Sequence, residues 1–190
     1  MRYSATHKEE TRQKLLESSG AIAKRGGFST TGVDGLMKAI GLTGGAFYSH
    51  FPSKNDLFTA IVQRELSQSL IGHVARGEGF CRDKLERCLD HYLSMTHLQC
   101  PDTGCAIPAL GAEIARAELS VREEAEHWML QLQQAWAEIL EDGELAWALI
   151  VQCVGAVVVA RMLAREETQA EVLAASRGFI SQVLDDRLEE

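Results

Sequence analysis

An all-α chain is what this sequence predicts, and three observations carry that expectation. Apolar residues recur at intervals of three and four in successive segments along the chain. The 190 residues include only three prolines and few runs of β-branched side chains, so little interrupts a helix. Gly, Ser, Thr and Asp also fall where helices need their starts and stops. With 46% hydrophobic and 24% charged residues the composition is that of a folded globular protein, long enough for a small module joined to a larger domain.

The first helix is expected over 8–25, where Leu15, Leu16, Ser19, Ile22 and Ala23 share a face and Gly26 and Gly27 stop it. Thr31 and Asp34 read as a capping box for a short second helix over 33–40, with Val33, Leu36, Met37 and Ile40 inward. Gly41 occupies the position that needs a left-handed backbone, Leu42 plugs inward, and Thr43 is the expected N-cap of a third helix ending near His50. Two short helices about a glycine turn make a helix-turn-helix. Phe51 and Pro52 then break the chain, and Ser53 with Asp56 opens, as a second capping box, a connector helix over 53–71. The expected organisation is a helix-turn-helix domain at 1–52 and a larger helical domain at 53–190.

Beyond a polar joint at 72–79, Leu85, Cys88, Leu89, Tyr92 and Leu93 predict a helix over 80–97. The turn from Cys100 to Cys105 follows, then a short helix over 108–116 with Pro108 at its first position. Ser120 with Glu123 reads as a third capping box for a helix to 141 carrying Trp128, Leu132 and Trp136, and Asp142 with Gly143 punctuates. Two apolar helices, 144–164 and 168–184, complete the chain. The longest apolar stretch, 146–160, is interrupted by Gln152 and falls short of the roughly 20 residues that span a bilayer, so it is expected to be a buried helix.

A formal net charge of -8 argues against a nucleic-acid partner when taken whole, but its distribution reverses that reading. Residues 1–58 hold 8 Lys and Arg against 5 Asp and Glu, a net of +3, and the remainder carries -11. One end can face DNA and the other cannot. No nucleophile elbow, phosphate loop, HExxH or deaminase signature occurs, so an enzyme is not expected. Five cysteines in no disulfide-framework spacing, and an N-terminus without an apolar signal segment, predict a cytoplasmic location.

At 28–58 the sequence FSTTGVDGLMKAIGLTGGAFYSHFPSKNDLF closely resembles the DNA-binding region of the TetR (tetracycline-repressor) family. The shared pattern is a Thr-capped helix, a Gly turn, a short recognition helix ending in Phe-Tyr-x-His-Phe, then Ser-Lys-x-x-Leu. The resemblance implies that 43–50 lies in the major groove, with Tyr48, His50 and Lys54 as phosphate or groove contacts and Thr31 beside them. A hydroxyl N-cap, free amides, a phenol and a lysine are donors suited to positioning a protein on a phosphate backbone. Two departures stand out: Gly44, where family members often carry Lys, and Ser49, where they often carry a larger polar or basic residue. Thr43 and Ser49 could hydrogen-bond to bases and Ala46 could touch a thymine methyl, with close approach at Gly44 and Gly45 leaving the rest to DNA shape.

The resemblance further implies a homodimer through the last two helices, about 144–184, where Gly155, Ala156 and Ala160 permit close approach. It also implies a small-molecule effector pocket beyond the connector, for which His91, Tyr92, Met95, Trp128 and Trp147 are the wall candidates; ordinary core packing is the alternative. Cys100 and Cys105, in or beside a polar loop, admit three readings: a thiol sensor of electrophiles or oxidants, a weak zinc signal with His97, or passive cysteines at a helix boundary. Cys88 and Cys153 lie on apolar faces and read as inert. No cofactor and no metal are expected. The expected function is therefore a DNA-binding repressor on a palindromic operator, released by a small molecule or by thiol modification. The alternative is a helical small-molecule-binding protein or enzyme without sequence-specific DNA binding.

Overall fold

The computed structural model describes residues 5–69 and 82–186, and every described element is helical. The order is α1 (Ala5–Gly26), α2 (Val33–Ala39), a 3-10 helix (Gly44–Ser49), α3 (Lys54–Ser67), α4 (Arg82–Tyr92), α5 (Met95–Gln99), α6 (Ile107–Arg116), α7 (Leu119–Leu140), α8 (Gly143–Met162) and α9 (Glu166–Asp186). The expected joint at 72–79, the connector's end at 71, the helix start at 80 and Cys81 lie outside the described residues.

The turn chemistry is only partly as expected. Gly27 and Gly41 do take the left-handed backbone, at φ +89 and +75, after α1 and α2. Ser53 caps α3: its hydroxyl accepts from the Asp56 amide at 3.1 Å and donates to the Asp56 carboxylate at 2.6 Å. The other two capping boxes do not form. Gly32 is the N-cap of α2 and Glu118 that of α7, neither with a side-chain bond, because both helices start off the register that Thr31 and Ser120 need. Thr43 holds the N-cap position of the third element but makes no cap bond, and that element is a 3-10 helix. The helix expected over 80–97 is interrupted after Tyr92, because the Ser94 hydroxyl accepts from the His97 amide at 3.2 Å and starts α5. Asp142 caps α8 through the amides of Glu144 and Leu145, both at 2.9 Å.

Two clusters of buried side chains organise the molecule. The first joins α1, α2, the 3-10 helix and α3 through Leu15, Leu36, Phe47, Phe51, Leu57 and Ile61, and it continues into Ala106, Leu110, Val121 and Ala125. The N-terminal elements thus share one core with α6 and the first half of α7. The second cluster joins Leu85, Leu89, Tyr92, Trp136, Leu149, Cys153, Val157 and Ile180, and Ile107 packs against both. Helix α8, at 20 residues and mean hydropathy 2.0, is long and apolar enough to cross a membrane, longer than the stretch read from sequence. Ala146, Ile150, Cys153 and Val157 bury one side of it, and Val151, Val159 and Met162 stay exposed.

Candidate nucleic-acid interface

Local sequence forces the exposed edge of the helix-turn-helix. Phe47 is fully buried and packs against Phe51 at 6.1 Å between ring centroids, which anchors the 3-10 helix and turns its neighbours outward. Tyr48 is 68% exposed, its ring edge-on to Phe47 at 5.3 Å, so the phenol is presented to solvent on a fixed stem. Thr43, Gly45 and Ser49 are exposed, and Gly44, Ala46, His50 and Thr31 are half-buried. The Ser49 hydroxyl donates to the Ala46 carbonyl at 2.7 Å, leaving its oxygen lone pairs as its remaining capacity. At Gly44 an added Cβ would meet the exposed Asp34 carboxylate of α2, which would have to rotate aside.

The cationic part of this edge comes largely from residues that carried no sequence motif. Lys8 is exposed on α1, and the Arg12 guanidinium lies 4.7 Å above the Phe51 ring, held there by its stem and by cation–π attraction. Both stand close enough to His50 that, after burial, their charges push its pKa below the usual histidine value. Lys8, Arg12 and His50 thus lie together, with Glu9 beside them, and Tyr48 stands two residues before His50 on the 3-10 helix. Only the helical spacing of Lys8 and Arg12, one turn apart, could have signalled it.

Lys54 is engaged internally. Its ammonium donates to the Phe28 carbonyl at 2.9 Å and the Ser29 carbonyl at 3.4 Å, and lies 4.7 Å above the Phe28 ring, which stacks on Phe58 at 4.5 Å. The amides of the same two residues are taken from the other side by Glu113 of α6. Phe28 N–H donates to its Oε1 at 2.9 Å and Ser29 N–H to its Oε2 at 2.8 Å. The turn between α1 and α2 is therefore gripped by a lysine from α3 and a carboxylate from α6.

The sensing candidates do not converge on one wall. Tyr92 and Met95 belong to the second cluster, Trp128 packs against the first, His91 is exposed, and Trp147 is 38% exposed on α8. Trp136, absent from that set, is fully buried in the same cluster as Tyr92, and its Nε1 and the Tyr92 hydroxyl find no nitrogen or oxygen partner. Cys100 is exposed, and Cys105 is buried with its thiol pushed up by burial. Burial likewise pushes Cys88 to about 11 and Cys153 to about 12. His97 has both ring nitrogens engaged, Nδ1 with the Tyr92 carbonyl at 2.7 Å and Nε2 accepting from the Cys105 amide at 3.0 Å. Neither nitrogen is open to a metal, and among the described residues no group of three or more His, Cys, Asp or Glu is arranged to hold one.

Comparison with known proteins meets this geometry. The family described as bacterial regulatory proteins, tetR family, matches residues 15–61, which span the helix-turn-helix and most of α3. The HTH-type transcriptional regulator AcrR of Shigella flexneri is 38% identical over 93 residues, 46% of this chain and 42% of that protein, so the match spans less than half the relative's length. The HTH-type transcriptional repressor NemR of Escherichia coli is 26% identical over 140 residues, covering 70% of this chain and 69% of the relative. The crystal structure of reduced E. coli NemR has the same fold, with TM-score 0.72 at 19% identity over 91% of this chain and 97% of that one.

Proposed function

The chain belongs to the TetR family of bacterial regulatory proteins, and from that premise we propose that it is a cytoplasmic transcriptional repressor binding a palindromic operator as a homodimer. The observation that carries this reading is the surface of Tyr48, His50, Lys8 and Arg12 around an exposed 3-10 helix, on the basic end of an otherwise acidic chain. A phenol and three basic groups at one edge supply the donors by which a recognition element is positioned on phosphates. Thr43, Gly45 and Ser49 are the exposed positions that would meet base edges. Lys54 acts in this reading by holding the turn at Phe28 and Ser29 beneath the recognition element.

Dimerisation through α8 and α9 is supported by exposed Val151, Val159, Met162 and Phe179, large apolar groups on the two C-terminal helices. A second recognition element one DNA turn away, about 34–36 Å, would give a single short 3-10 helix useful affinity. Release follows from an effector in the second cluster, where the buried Trp136 Nε1 has no partner and the Tyr92 hydroxyl meets only the Cys105 thiol, or from thiol chemistry beginning at exposed Cys100. Cys105 would become reactive only after the loop opens.

The test is a mobility shift with DNA flanking the protein's own coding region, in reduced and electrophile-treated samples with non-specific competitor. Specific binding is expected in the reduced sample. Lys8→Ala and Arg12→Ala should each weaken it at all sequences and reduce the salt slope by about 1 for each phosphate no longer neutralised. Failure to bind there and in a random-sequence selection would overturn the repressor reading in favour of small-molecule binding without DNA. Unchanged release after Cys100→Ser would remove that thiol from sensing.

A further inference from the structure

A cleft of about 420 Å³ lies where the C-terminal end of α1 meets the larger domain, lined by Lys24, Arg25, Leu98, Pro101, Pro108 and Arg161 among others. Three of its side chains are cations and none is acidic: Lys24 and Arg25 come from the basic N-terminal part of the chain and Arg161 from the acidic remainder. The three differ in how well they are neutralised. Lys24 is fully engaged, 2.6 Å from the Glu65 carboxylate and 3.2 Å from the Gly104 carbonyl it donates to. Arg25 is largely exposed, and its one described carboxylate neighbour, Asp102, stands at 4.0 Å.

Arg161 is the least satisfied. It takes part in none of the described ion pairs, and it donates from Nε to the Leu98 carbonyl at 3.2 Å and from Nη2 to the His97 carbonyl at 3.3 Å. Its Nη1 is sealed from solvent with no partner. A half-buried guanidinium balanced only by backbone dipoles is costly, and an anion placed beside it would recover that cost. Burial also lowers the Arg161 pKa, which a neighbouring negative charge would reverse. The rest of the lining includes Leu98, Pro101, Pro108 and Ala109, all apolar.

The geometry points to this cleft as a binding site for a small organic carboxylate, its charge between Arg25 and Arg161 and its apolar body against Leu98, Pro101 and Pro108. Arg161 borders the buried Tyr92 and His97 pair, since it donates to the His97 carbonyl and the His97 ring packs 4.5 Å from that of Tyr92, but the cleft's occupancy does not depend on the protein binding DNA. Because Arg25 belongs to α1 and Arg161 to α8, an occupant ties the N-terminal elements to the larger domain at a second point beside the Glu113 grip. Ligands in clefts of this size are typically held by a few fixed polar groups on an apolar lining.

Calorimetric titration of the full chain with benzoate, and with benzyl alcohol as its uncharged counterpart, tests the assignment. Benzoate is expected to bind, with benzyl alcohol at least tenfold weaker. Arg25→Gln, which removes an exposed side chain, should weaken benzoate about tenfold with the unliganded Tm unchanged. Arg161→Gln should abolish binding, and if that variant fails to fold, Arg25→Gln still decides. No benzoate binding up to about 10 mM, equal binding of the two probes, or wild-type affinity in Arg25→Gln overturns the site.

Discussion

Burial leaves the His97 imidazole with protein neighbours in place of water. The Cys105 amide can only donate, so Nε2 must accept and Nδ1 must carry the proton towards the Tyr92 carbonyl. Protonation would set one N–H against another, and burial is the first reason the His97 pKa lies below 6.5, with Arg161, His91 and Lys24 adding positive charge and the Tyr92 carbonyl opposing. A lowered folded pKa means this stability is present above pH 6.5 and is lost as pH falls through the folded value. Unfolding free energy should therefore drop between pH 7 and 5. His97→Phe should flatten that part of the slope in urea titrations at several pH values; an unchanged slope would assign the acid sensitivity elsewhere. Gly44 carries a second expectation, since a Cβ there meets the Asp34 carboxylate. Asp34 is exposed and its carboxylate can rotate aside, so Gly44→Ala should change stability by no more than about 0.5 kcal/mol, read as a nearly unchanged Tm; a large drop would mean that Asp34 is held in place. The sequence displayed Gly44 as a departure from pattern. Its neighbour Asp34 sits ten residues earlier on another helix, and only the fold brings the two together.

Helix α6 is short, yet its Glu113 carboxylate meets two consecutive amides 84 and 85 residues earlier in the chain. Pro108 announced that a helix would begin there, and α6 does begin beside it, at Ile107. Nothing local could announce its partner, because a carboxylate reaching a distant turn leaves no periodicity behind. Glu113→Gln replaces one acceptor oxygen by an amide that cannot accept, so one of the two N–H groups loses its partner. The expected cost is about 1–2 kcal/mol, with far-UV circular dichroism unchanged and operator affinity reduced in a binding titration. Full operator affinity in that variant would mean the grip on Phe28 and Ser29 does not set the recognition element's position. The α4–α5 break is a similar lesson at smaller range. Apolar spacing ran on through Tyr92 and Leu93 to His97, while Ser94 held a capping position that periodicity alone passes over.

Across the whole molecule, the all-helical class and the helix-turn-helix followed from patterning that any short segment displays on its own. The proposed dimer face is a reading of a different kind, since exposure of Val151, Met162 and Phe179 requires knowing what the other side of each helix already buries. Phe179→Asp with Met162→Asp should convert a dimer to monomer in sedimentation equilibrium and weaken operator binding without altering helix content; a double variant that stays dimeric would move the interface elsewhere. The first core supplies the last consequence. Leu110, Val121 and Ala125 close the same apolar cluster as Leu15, Phe47 and Leu57. Anyone grafting these N-terminal elements onto another protein by cutting at residue 52 would leave that seam open on both halves of the chimera. A working graft has to carry the floor along with the head, so the N-terminal elements of this chain travel only with α6 and the first half of α7.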